Sequence, residues 1–161
     1  MGTTVPSDTL SGSIIVDLWR DQLREAVADG AITDPSAAAR PRKSPMIVTE
    51  YPDHTRHYPH IVVSEIADVS GRPDIRADLW EHQYTVGLEI HAKTSTHMFH
   101  LRDQVRGWIE SNTALFNTMN FHDAEIVSTT SMSWDPTEQV RSWRIAVRGT
   151  VYTAPTSEEG V

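Results

Sequence analysis

The chain has 161 residues, 39% of them hydrophobic, with a net charge of -8 and a pI near 5.4. A domain of this size buries roughly 70% of its unfolded surface, so one domain with its own core is expected. The acidic balance argues against wrapping duplex DNA, which takes Lys and Arg to neutralise phosphates. The absence of cysteine excludes disulfides, thiolate metal sites and thiol nucleophiles.

The first residues lack the basic and apolar regions of a signal peptide, and no run reaches the ~20 apolar residues of a membrane helix, so neither export by that route nor a membrane partner is expected. The first element is a helix: in "SGSIIVDLWRDQLREAVADG", Ser11 or Ser13 can cap, Ile14, Ile15, Leu18, Leu23, Ala26 and Val27 recur at helical spacing, and Gly30 ends it. Trp19 lies beside that stripe. Residues 31–45, "AITDPSAAARPRKSP", read as an exposed linker or arm carrying Arg40, Arg42 and Lys43, a connection length that is uncommon inside compact domains.

Strand signals follow in "MIVTEY" and, after Pro59, in "HIVVSEIAD". The segment "DVSGRPDIRAD" reads as a loop. In "LWEHQYTVGLEIHA", Tyr84, Val86, Leu88 and Ile90 point one way and Thr85, Gly87, Glu89 and His91 the other, the alternation of a half-buried antiparallel strand. The period then becomes helical in "STHMFHLRDQVRGWIESNTALF", capped by Ser95 or Thr96, with a stripe of Met98, Leu101, Val105, Trp108 and Ile109. Gly107 inside it costs up to ~1 kcal/mol against alanine and suggests close packing there.

Two more strands, "AEIVSTTSMSW" and "EQVRSWRIAVRGTVYT", flank a turn at Asp135-Pro136 and read as a hairpin, and residues 154–161 form a loose polar tail. The order predicts an α+β domain: a mostly antiparallel sheet of about five strands with two amphipathic helices on one face.

Candidate chemistry is sparse. In "YPDHTRHYPH" three histidines stand three apart, His54, His57 and His60. Extended backbone sends such residues to opposite faces, and Pro52 and Pro59 oppose a helix that would align them. Only an irregular loop with a fourth ligand such as Asp53 or His82 would gather them on a metal. No G-x-S-x-G elbow, phosphate loop or dinucleotide fingerprint is present, so no catalytic residue, cofactor or enzymatic activity is expected.

Arg144 and Arg148, on the polar face of the last strand, form either a contact for carboxylates or passing DNA, or an ordinary solvated face. Five tryptophans in a chain this short, Trp80 and Trp134 in or beside strands among them, favour an oligomer or a docking partner over a pocket, because Trp, Tyr and Arg are enriched at interfaces. The candidate contact residues are therefore Arg40, Arg42, Lys43, His54, His57, Tyr58, Trp80, Trp134, Arg144 and Arg148.

Three segments carry a resemblance: the proline-led strand "YPHIVVSEIAD", the strand-turn-helix "YTVGLEIHAKTSTHMFHLRDQVRGWIE" and the closing strand "SWRIAVRGTVYTA". With the first helix they cover residues 14–153, and in order and periodicity the chain resembles the tail terminator (tail completion) proteins of tailed bacterial and archaeal viruses. The resemblance implies a non-enzymatic virion protein, made in the host cytoplasm. Six copies would form a ring that caps the head-proximal end of the tail tube and joins it to the neck or head-completion protein. Residues 31–45 and 68–78 would then be contacts.

DNA would pass through such a ring without specific binding, repelled by acidic groups, with Glu89 a candidate for the lumen. A head-closure or neck connector protein of the same viruses is the nearest alternative. A metal-dependent enzyme using the clustered histidines is the alternative of a different class.

Overall fold

The computed structural model describes residues 12–49, 57–73, 80–132 and 134–153. Helix α1 spans Gly12–Ala28 and buries Ile15, Val16, Trp19, Leu23 and Ala26, positions three and four apart that share one face of a helix. Gly30 ends it with φ +85, a left-handed conformation that glycine adopts without steric cost, while the Ala31 amide returns to the Ala26 carbonyl at 2.9 Å.

Five strands make one sheet in the order β1-β2-β3-β5-β4. Strand β1 is only Ile47–Val48 and runs parallel to β2, His60–Pro73. The other pairings are antiparallel: β2 with β3 (Trp80–Ala92), β3 with β5 (Arg141–Thr153), and β5 with β4 (His122–Ser131). The fold is thus α+β, with a mostly antiparallel sheet as the alternating patterns require.

The expected loop at 68–78 is shorter than the sequence suggested. Strand β2 continues to Pro73, because irregularities between Glu65 and Ala67 and between Val69 and Arg72 re-aim the chain while pairing with β3 persists. Residues 74–79 lie outside the described residues.

The long second helix divides in two. Helix α2 spans Ser95–Ser111 and helix α3 spans Thr113–Thr118. Asn112 leaves helical geometry at φ -120, ψ 23, and its side-chain amide donates to the Trp108 carbonyl at 2.7 Å, satisfying an end group of α2. The cap is Thr94, one residue before the expected Ser95, and its hydroxyl accepts from the His97 amide at 3.2 Å. Gly107 has open space around it, nothing lying within 4 Å of a built Cβ, so close packing does not explain it.

The helices cover one face of the sheet, called inner here. Ile61, Val63, Tyr84, Val86, Leu88, Ile90, Ile145, Val147 and Val151 meet α1 and α2 in one buried cluster. At its centre is Trp19, fully buried instead of beside the stripe. Phe116 stacks on it at 4.6 Å, and Phe121 and Trp108 meet it edge-on at 5.3 and 6.4 Å, arrangements that the ring quadrupole favours.

Candidate functional site

The outer face carries rows of side chains set by register. His60 pairs with His91 and His91 with Ser142; Val62 pairs with Glu89, Glu89 with Arg144, and Arg144 with Thr130. A third row, Ser64, Gly87, Ala146 and Ser128, is made of small residues. Ile66 lies over Gly87, its Cδ1 2.7 Å from where a Cβ would stand.

Within the first two rows four polar side chains lie in series, Ser142 hydrogen-bonded to His91 and Arg144 to Glu89, with His91 and Glu89 in close contact between them. His91 Nδ1 lies 2.6 Å from Ser142 Oγ, His91 Nε2 3.3 Å from Glu89 Oε1, and Arg144 Nη2 donates to Glu89 Oε2 at 2.9 Å. The imidazole of His60 stacks on that of His91 at 5.0 Å, with Tyr58 a further 5.0 Å from His60.

Serine, imidazole and carboxylate in series are parts of a nucleophilic triad, which also needs amide donors aimed at a developing oxyanion. Strand β5 has ladder partners on both sides, so its amides serve the sheet, and Arg144 neutralises the carboxylate. The arrangement ties β3 to β5 across a buried polar seam.

These contacts correct two expectations. Glu89 is not a free carboxylate: its side chain is 6% exposed and paired with Arg144, whereas a carboxylate that repels phosphate must stand in solvent. Arg144 and Arg148 do share the outer face, yet they make no basic stripe. The register puts Glu89 beside the first and Glu125 beside the second, each forming an ion pair.

The segment 31–45 is also not an arm. A 3-10 turn at Ala37–Ala39 brings Arg40 back onto Asp34, Nε to Oδ2 2.5 Å, with side chains 8% and 7% exposed. Arg40 further donates to the carbonyls of Ser44, His57 and Pro59 at 3.2, 3.2 and 2.5 Å, and Ser36 Oγ donates to the Tyr58 carbonyl at 3.1 Å.

Burial opposes ionisation of Asp34, but the hydrogen bonds from Arg40 and the Ser36 amide outweigh it and hold the carboxyl below its usual range. Arg40 is thus a clamp on the entry to β2, and only Arg42 and Lys43 of the basic trio are exposed.

Of the remaining candidates, His57 and Tyr58 are half-buried at that entry, Lys93 lies 4.9 Å over the Tyr58 ring, and His54 lies outside the described residues. Trp80 is placed by its backbone alone, opposite Pro73 and Thr153. Among the described residues no group of three His, Asp or Glu is placed to hold a metal ion.

Trp134 belongs to a different feature. Where α2 begins and the β4–β5 connection passes it, a cavity of about 190 Å³ is lined by Met98, Phe99, Met132, Trp134, Arg141 and Trp143, among others. The Arg102 guanidinium stacks between Phe99 and Trp143, 4.9 and 4.8 Å from their centroids. Arg141 lies 5.0 Å over Trp134. Phe99 is 44% and Trp134 46% exposed. The Asp135 carboxylate holds the adjacent turn by accepting from the Thr137 and Glu138 amides at 2.9 and 3.2 Å.

Such an interleaving of rings and guanidinium groups binds other proteins well, since each cation over a ring is worth ~0.5–1 kcal/mol even at exposed sites. Trp134 alone was expected here as a contact. Phe99 and Arg102, three apart on one helix face, were the signal for the remainder, and only the fold brings them to Trp143. No family model and no curated protein matches the chain.

Proposed function

We propose that the protein is a virion structural subunit, a tail terminator that forms a ring of six at the head-proximal end of a tail tube and joins the tail to the neck. The observation that carries this reading is the exposed aromatic and arginine surface at the start of α2, where Phe99, Trp134 and Trp143 alternate with Arg102 and Arg141. Its residue types are those of a protein contact.

The fold supports the reading. Helix, three strands, helix and a two-stranded hairpin stand in the order on which the resemblance rests, and no helix of the described residues covers the outer sheet face, which suits a subunit packed among copies of itself. No helix of the described residues is long and apolar enough to cross a membrane. The net charge of -8 suits a ring around DNA that must slide through without adhering.

Native mass spectrometry and electron microscopy of the purified protein with tail tubes test the proposal. The expected result is an assembly of six times the 18.1 kDa chain mass, seen at one end of each tube. Binding to portal or adaptor in the absence of tubes would assign the protein to the neck instead.

A further inference from the structure

We infer that the aromatic groove at the start of α2 receives the segment 154–161 of a second copy of the chain, and that this is the contact passing from subunit to subunit. The inference rests on the ring reading and names one of its interfaces.

Chemical fit is the first argument. The segment reads "APTSEEGV": a proline, then two adjacent carboxylates three residues on. Proline rings dock well on aromatic grooves because they bring a preformed extended backbone, and Phe99, Trp134 and Trp143 offer such a groove. Arg141 stands at its rim, exposed, stacked on Trp134 and without an ion pair among the described residues. Among the described residues Arg102 forms an ion pair with the exposed Asp103 alone. Glu158 and Glu159 match these two cations. The first turn of α2, whose Ser95 lines the groove, carries no acid of its own, so the helix dipole there adds to the attraction.

Reach is the second argument, and it requires another copy. Arg141 and Thr153 are the two ends of β5, twelve steps and therefore about 40 Å apart at ~3.3 Å per residue. Glu158 follows Thr153 by five residues, which span at most about 18 Å. A chain cannot bring its own Glu158 to its own Arg141. A neighbour's can reach it, and a contact between two different patches is heterologous, the kind that closes into rings.

The test uses two full-length variants, Arg141→Glu and the double substitution Glu158→Arg with Glu159→Arg. Circular dichroism first confirms that both fold as the parent does; Arg141 is exposed. In sedimentation velocity each variant alone should associate at least tenfold more weakly than the parent. Mixing the two should restore assembly, because each then offers the charge the other's groove or tail has lost.

Parent-like assembly of either variant alone, a mixture no better than its parts, or a parent chain that stays monomeric at every concentration overturns the inference. Rings that form at tube ends regardless of these substitutions would leave the terminator reading standing and remove this interface. Tail-dependent association that never decorates a tube would do the reverse.

Discussion

On the inner face of the sheet Trp19 is locked among three other rings, in a cluster of mainly apolar side chains shared with α1 and α2. On the outer face the same strands present Glu89, His91, Ser142 and Arg144, with hydrogen bonds from Arg144 to Glu89 and between His91 and Ser142. Both faces are buried at their centres, yet by different means: shape on one side and charge pairing on the other. The inner face sets the fold, and the outer face, with the groove beside it, leaves the molecule surfaces to spend on contacts.

The largest effect should come from the inner face. Trp19→Ala removes a fully buried ring and should cost about 3–5 kcal/mol, read as a fall in the urea midpoint with little change in slope. A loss below 1 kcal/mol would mean the ring cluster does not hold the core.

The Arg40 clamp comes next. Arg40→Ala leaves the buried Asp34 carboxylate without its partner and should cost about 3 kcal/mol at pH 7. The sign of its pH dependence follows from the lowered pKa of Asp34. A carboxyl whose folded value is depressed stabilises the fold above its unfolded value, about 3.9, and loses that contribution as the pH falls through the folded value. The gap between parent and variant stabilities, measured by denaturant titration, should therefore narrow as the pH falls through the folded value of Asp34, leaving the share that Arg40 contributes through the Ser44, His57 and Pro59 carbonyls. A gap that stays constant through that range would show that Asp34 is not what the arginine holds.

Two glycines sharpen the contrast between the faces. A Cβ on Gly149 would stand 2.1 Å from the Phe121 ring, whereas on Gly87 it would meet the tip of Ile66 at 2.7 Å. Phe121 is enclosed, and Ile66 is exposed and can turn away. Gly149→Ala should cost roughly 1–3 kcal/mol or more, and Gly87→Ala well under that. Equal losses would mean the outer face is packed as rigidly as the inner. The smallest effect is a gain: Gly107→Ala, on open helix surface, should stabilise by up to ~1 kcal/mol.

Much of the fold was legible because it depends on period. The alternation from Tyr84 to His91 and from Trp143 to Arg148 assigned side chains to the faces they occupy, and Gly30 marked the end of α1. What period cannot carry was missed. Trp19 looked peripheral to its own helix because Phe116 and Phe121 arrive from far along the chain. Arg40 looked like part of a solvated basic run because its partners, the carbonyls of His57 and Pro59, are brought to it by tertiary folding. Glu89 and Arg144 were each read correctly as outward, but their pairing is a matter of register, and register turned an acidic candidate and a basic one into a neutral bridge. Of the contact residues proposed from sequence, Trp134 gained a structural setting, since composition flagged the residue and the fold supplied its neighbours.

As proposed above, this protein would be a ring subunit at the end of a tail tube. Electron microscopy of the purified protein mixed with tail tubes tests it most directly. A terminator should give one ring at a single end of each tube, with tubes that stop growing once it binds; a protein that stays monomeric beside bare tube ends would rule that role out.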